Sequence, residues 1–319
     1  MANKYTTNNI HLGSGQSLAL HLWTLPNPRG WVLIIHGMAE HGGRYHAIAE
    51  KLNADGWNVC APDLRGHGFT SKNNGKRGFF ANKNGWQKCV SDMESLVQEL
   101  NLEVQVIPVV ILGHSMGAQI VYQMIARRNV TVDGAILSAL APHPGPILKL
   151  GIGIAWLEGL LFGKTTRSHL LNAMTFGRFN AKIKHPRTKF DWLSRDPKEV
   201  DKYIEDPDCG EVFRNRFFFD LYSMVDDLEK NEKNHVFDKN LRLLLLAGSD
   251  DPVVIDEKKF IHLAQKLANK VENADIYVEK GGRHELLNDI CHIEIEDRIV
   301  LWLDENFKRE DFAYIYDPA

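Results

Sequence analysis

Ser115 lies in Gly113-His114-Ser115-Met116-Gly117, directly after the apolar run Pro108-Val109-Val110-Ile111-Leu112 and directly before the helix-forming stretch Ala118 to Arg128. A strand, a glycine-flanked serine and a helix in that order make a nucleophile elbow. A serine hydroxyl is a poor nucleophile unless a tight turn holds its oxygen where a base can reach it. That turn strains the serine backbone, so small residues must flank it. The helix that starts there aims N–H groups and the positive end of its dipole at developing negative charge. A glycine-rich turn without chemistry is the competing reading. The β-branched run before the serine and the helix formers after it argue against that.

The surrounding chain fits the elbow. Ser17 to Trp23 alternates apolar and polar residues, as a half-exposed edge strand does. Trp31 to Ile35 reads as a buried strand, Tyr45 to Asn53 as a helix, and Trp57 to Ala61 as the next strand. A loop from Pro62 to Gly85 leads to a helix over Trp86 to Leu100, with Val90, Met93, Leu96, Val97 and Leu100 on one face. Gly134 to Ser138 is another buried strand. Beyond it come three prolines (Pro142, Pro144, Pro146), an apolar stretch, and basic and aromatic residues without a clear strand. Alternation resumes with a strand at Leu241 to Ala247, a helix near Glu257 to Ala268, a strand at Asp275 to Val278 and a helix from about Ile290 to Phe307. Continuous apolar strands separated by helices predict an α/β protein with a mostly parallel sheet covered on both faces. Residues 1–140 and 229–319 form its expected core, and 141–228 an inserted helical cap.

A serine nucleophile needs a base, and the base an orienting carboxylate. The strand ending at Ala247 runs into Gly248-Ser249-Asp250-Asp251-Pro252, where Pro252 biases Asp251 towards an extended conformation. The strand ending at Val278 runs into Glu279-Lys280-Gly281-Gly282-Arg283-His284. Both loops belong at the carboxyl edge of the sheet, where ligands bind in such folds. Asp251 and His284 are therefore the expected acid and base. Asp250 is the runner-up for the acid, and Asp251 as a mere helix cap is the structural alternative. His262 and His292 fall on predicted helices and His235 in a polar linker. A serine hydrolase also needs two N–H donors for its oxyanion, one after the nucleophile and one from the loop after the first buried strand. Those positions are Met116 and Met38, the latter in His36-Gly37-Met38-Ala39-Glu40-His41.

Taken in order, His36 to His41, Asp63-Leu64-Arg65-Gly66-His67-Gly68, Gly113 to Gly117, Gly248 to Asp251 and Gly281 to His284 resemble the motifs of the monoacylglycerol lipases and bacterial lysophospholipases. The likeness runs from about residue 8 to 308 and is weakest in the cap. It implies an α/β-hydrolase fold, with Ser115 as nucleophile, Asp251 as acid, His284 as base, and Met38 and Met116 as oxyanion donors. It also implies structural roles for Glu40, Arg44, Arg65 and His67. Met38-Ala39 departs from the smaller residues of the animal enzymes. Pro146 to Phe162 falls where that family carries its cap. Ile147, Leu150, Ile154 and Leu157 are the expected acyl-chain contacts, and this segment is also the expected point of transient contact with a membrane surface.

Composition bounds the rest. Hydrophobic residues make up 44% and charged residues 25% of 319 positions, as in an ordinary globular protein. A net charge of −3, without a basic block interleaved with aromatics, argues against nucleic acid as a partner. The four cysteines form no C-x-x-C, so neither a disulfide framework nor a zinc site is expected. The polar N-terminus and the lack of a long uncharged apolar run point to a cytoplasmic protein, peripheral at most to the inner face of the membrane. The expected activity is hydrolysis of one acyl ester in an amphiphile, without metal or organic cofactor. Two alternatives stay open: an aminopeptidase-like hydrolase, with Asp191, Asp196, Glu199 or Asp208 holding a substrate amine, and a non-catalytic binding protein.

Overall fold

Strands β1 (Lys4–His11), β2 (Ser17–Thr24), β3 (Gly30–Ile35), β4 (Trp57–Pro62), β5 (Val109–His114), β6 (Gly134–Ser138), β7 (Arg242–Gly248) and β8 (Asn273–Glu279) form one sheet. Their order is β1-β2-β4-β3-β5-β6-β7-β8; β2 pairs antiparallel with both β1 and β4, and every other pairing is parallel. The computed structural model describes residues 4–74, 76–100, 102, 107–254 and 256–308. Residues 1–3 and 309–319 of the expected core segments lie outside the described residues.

The period of two along each strand divides the core. Leu33, Ile35, Ile111, Leu137 and Leu245 face one layer, built with α3 (Gly85–Glu99), α4 (Met116–Arg127) and α9 (Glu257–Ala268). Val32, Ile34, Leu112, Ile136 and Leu246 face the other, built with α1 (His46–Ala54) and α10 (His292–Asn306). This is why the central strands read as unbroken apolar runs. The sheet is the mostly parallel one, covered on both faces, that the sequence predicts.

Two expectations change. β2 is not an edge: β1 pairs along its whole length, and β4 covers its other side. The stretch Pro62 to Gly85 is not all loop, because α2 (Gly68–Asn74) forms within it. Asp63 starts that helix by accepting the Phe69 N–H (2.7 Å), while its main-chain carbonyl accepts the Thr70 hydroxyl (2.7 Å).

Between β6 and β7 lie α5 (Ile147–Leu161), α6 (His169–Phe176), α7 (Pro197–Glu205) and α8 (Asn215–Asn231). The boundary expected at residue 228 falls inside α8. α5 packs along α8, with Gly151 against the Tyr222 ring. Residues 191–196 are stitched to the loop after β8. Arg283 donates to the carbonyls of Asp191 and Ser194 (both 2.7 Å), the Glu285 N–H to Leu193 O (2.8 Å), and Arg195 pairs with buried Asp289 (3.0 Å).

Candidate active site

Because β3, β5, β7 and β8 run parallel, their carboxyl ends share one edge of the sheet, and the loops carrying Met38, Ser115, Asp251 and His284 gather there. Ser115 takes φ 54° and ψ −114°, a left-handed conformation that a non-glycine residue adopts only under constraint. Its N–H donates to Ser138 O (2.9 Å) and its carbonyl receives Gln119 N–H (3.2 Å). The flanking glycines are required by contact. A Cβ on Gly113 would lie 2.5 Å from Gly117 O, and one on Gly117 would lie 2.0 Å from Ile35 O. Met116 opens α4, so its N–H has no acceptor within the helix.

His284 and Asp251 are both buried, and Nδ1 of the imidazole lies 2.8 Å from Asp251 Oδ2. The other carboxylate oxygen accepts the Val253 N–H (2.8 Å), so the acid is itself fixed. Asp251 is not a helix cap, since Asp256 caps α9. Asp250, the runner-up, has its carboxylate at Ser249 and not at His284. His262 and His292 sit on α9 and α10, and His235 lies by Tyr122. Burial alone would depress the His284 imidazole, but the Asp251 carboxylate outweighs it, helped by Glu285 and Glu40, and leaves the ring above its ordinary 6.5. The Trp192 ring covers it, 5.0 Å between centroids.

His36 explains the histidine–glycine pair after β3. Leu64 N–H donates to its Nε2 (2.9 Å), so the proton is on Nδ1, which donates to Gly37 O (2.7 Å). Arg65 pairs with buried Asp92 on α3, and His67 Nδ1 lies 2.9 Å from Arg65 O, so this loop is pinned beneath the site. His21, His41 and Asp63, and separately His41, Asp206 and Cys209, are grouped closely enough to hold an ion. Each group is already tied internally: His21 Nε2 lies 3.4 Å from Asp63 Oδ1, and His41 pairs with Asp206.

Burial drives His36 and His114 down to about 4, and His67 to about 3. These rings stay neutral in the native state and protonate near 6.5 when unfolded, so the unfolded chain binds more protons between those values. Stability is therefore expected to fall as pH drops from about 6.5 towards 4. Urea unfolding across that range checks it, and a midpoint that does not move would contradict it.

Ser115, Met38, Met116 and His284 all line a cavity of about 450 Å³ roofed by the insertion, with Phe176, Phe179, Trp192, Leu193 and Leu221 among its walls. Of the four expected acyl contacts, only Ile147 lines it. Leu150, Ile154 and Leu157 do not, and Leu148 and Gly151 stand in their place. The reason is helical phase: positions 150, 154 and 157 lie on a different face of α5 from 148, 151 and 155, which are buried. Ile154 is half-buried against the core, while Leu150, Trp156, Leu160, Leu161 and Phe162 are between 59% and 67% exposed. The sequence reading missed Trp192, which no motif marks, and the part played by Glu285, whose one signal is adjacency to His284.

Residues 26–290 match a family model described as serine aminopeptidase, S33. The chain belongs to that family. Among relatives, a monoacylglycerol lipase of Mycolicibacterium smegmatis is 26% identical over 91% of this chain and 93% of its own length. A monoglyceride lipase of Mus musculus is 29% identical over 88% and 83%. A thermostable carboxyl esterase of Bacillus coagulans, solved with glycerol, has the same fold, with TM-score 0.86 and 23% identity over 96% of this chain and all of its own. The protein is thus a hydrolase of the serine type, in a family described by an aminopeptidase while these two relatives are named as lipases.

Proposed function

We propose that the protein hydrolyses single acyl esters of amphiphiles, monoacylglycerols or lysophospholipids, through an acyl-enzyme on Ser115. The observation that carries this is the buried Asp251–His284 pair, whose imidazole lines the same largely apolar cavity as a strained Ser115. Asp251 holds the imidazole with its proton on Nδ1, leaving Nε2 to take the serine proton. Ser115 Oγ bonds to the ester carbonyl carbon, and the N–H groups of Met38 and Met116 receive the oxyanion. His284 then protonates the leaving alkoxide. Water, deprotonated by the same ring, releases the fatty acid and restores the serine. A fluorophosphonate is expected to label Ser115 alone, and a panel of monoacylglycerols, lysophospholipids and short p-nitrophenyl esters ranks the head groups.

An aminopeptidase reading requires a free carboxylate to hold the substrate amine. Among the described residues the carboxylates lining the cavity are Glu40, Glu211 and Glu285. Glu40 and Glu285 pair with Arg44, and Glu211 with Arg77 and Arg167. Asp191, Asp196, Glu199 and Asp208 are not in the lining, and each has partners of its own. Ester hydrolysis is favoured. Faster turnover of an aminoacyl amide than of a monoacyl ester would reverse that choice.

Residues 141–228 act in this reading as a cap, and the exposed apolar side of α5 as its contact with a lipid surface. No helix of the described residues is long and apolar enough to cross a membrane. Burying such side chains in the interface gains roughly 0.8 kcal/mol per CH₂. The double variant Leu150→Ser, Leu161→Ser is expected to lose about tenfold in rate on monoacylglycerol carried in phosphatidylcholine vesicles. Its rate on a water-soluble ester should stay at wild type. Equal rates on vesicles would remove the membrane role.

A further inference from the structure

One buried cation joins the two halves of the proposed chemistry. Arg44 follows the oxyanion loop, in the single turn Gly42–Tyr45. Its guanidinium donates to both oxygens of Glu285 (2.7 and 2.6 Å) and to Glu40 Oε2 (2.8 Å). Glu285 is next in sequence to His284. Glu40 Oε1 in turn accepts the N–H of Gly37 (2.6 Å), the residue before Met38, and the Tyr45 hydroxyl (3.1 Å). Gly37 itself abuts the nucleophile: a Cβ there would lie 3.3 Å from Ser115 Cβ. The loop is held in a costly shape, with Ala39 at φ 62°. Its Ala39 carbonyl accepts the Tyr203 hydroxyl and the Gly210 N–H from the insertion (both 2.9 Å), and Arg44 lies over the Tyr203 ring.

Buried ion pairs are poor sources of net stability, because desolvation consumes most of the attraction. Two carboxylates on one guanidinium, all three nearly inaccessible to water, call for another account. We propose that Arg44 is a positioning residue: by clamping Glu40 and Glu285 it fixes the Met38 N–H against the His284 imidazole, holding oxyanion donor and base in one geometry. This rests on the ester-hydrolase reading above. The charged and titratable groups around His284 are Asp251 on the β7 loop, Glu285 beside it, Glu40 and Arg44 on the oxyanion loop, and the neutral His114 ring at the end of β5.

The test compares wild type with Arg44→Met, Arg44→Lys, Glu40→Gln and Glu285→Gln, using a water-soluble p-nitrophenyl ester and a fluorophosphonate. Arg44→Met is expected to lose about 10²-fold in kcat, the scale of a misplaced oxyanion donor, with KM little changed and labelling slowed in parallel. Arg44→Lys should recover only part, since an ammonium has the charge without the fork. Glu285→Gln keeps the side chain's shape but removes a negative charge beside His284, so the acid limb of kcat/KM should move down by about one pH unit. A folded Arg44→Met that labels at the wild-type rate overturns the proposal, as does an unmoved acid limb in Glu285→Gln. If Arg44→Met does not fold, the two Gln variants decide, and wild-type kcat in both overturns it. Wild-type protein that is not labelled at Ser115 defeats the hydrolase reading itself, and the clamp with it.

Discussion

Ser115→Ala is expected to lower kcat on a monoacyl ester by about 10⁶-fold, with KM close to wild type. The size follows from what is removed. Without Oγ no acyl-enzyme forms, while the cavity and the N–H groups of Met38 and Met116 still bind the ester and polarise it. A remnant of roughly 10³ over the uncatalysed rate should therefore persist. The fold should be untouched, because among the described residues the Ser115 hydroxyl makes no hydrogen bond and alanine keeps the Cβ. Ser115→Gly adds a second reading of the same site. Glycine adopts φ 54° without penalty, so this variant should be as inactive yet more stable by about 1 kcal/mol. Calorimetry alongside turnover separates the two effects. Activity within tenfold of wild type in either variant would place the nucleophile elsewhere.

Asp251→Asn should cost about 10⁴ in kcat. The carboxylate accepts the Nδ1 proton at 2.8 Å and lifts the imidazole above its ordinary value. An amide in its place presents an N–H to Nδ1, which drives the proton to Nε2, the atom that must be empty to receive the serine proton. Packing changes little, and the Val253 N–H can still find the amide oxygen, so the variant should fold. What remains should show its acid limb at lower pH, because the ring has lost its main electrostatic support. Asp250→Asn is the control: its carboxylate lies outside the pair, and its rate should match wild type. A large loss in Asp250→Asn with none in Asp251→Asn would exchange their roles.

The core strands were legible because burial on both faces writes itself as unbroken apolar sequence, and β3 to β7 read that way. β1 was not, since Lys4 to His11 is largely polar and takes its order from pairing with β2. That omission turned β2 into an apparent edge. α2 carries no apolar period at all; Asp63 organises it from outside. At the site, loop position separated Asp251 from Asp250 and His284 from its rivals, because proline and glycine fix where a strand ends. The contacts of α5 were not separable by type, since both its buried and its exposed sides are apolar and only the α8 partner sets the phase. Trp192 was invisible for a related reason: its neighbour His284 is 92 residues away.

That neighbour has a bearing on how such a protein can change. Residues 191–196 touch the base loop through main-chain carbonyls, through Arg195 and Asp289, and through a ring laid over the imidazole. The roof is therefore not one interchangeable module. On the proposed reaction, its first portion, α5 and α6, is expected to accept another sequence that keeps the α8 contact, whereas trading the second would unseat His284. Lineages that diversify in substrate should vary most between residues 141 and 180, and chimaeras that replace only that portion should keep turnover, while those that also replace residues 191–196 should lose it.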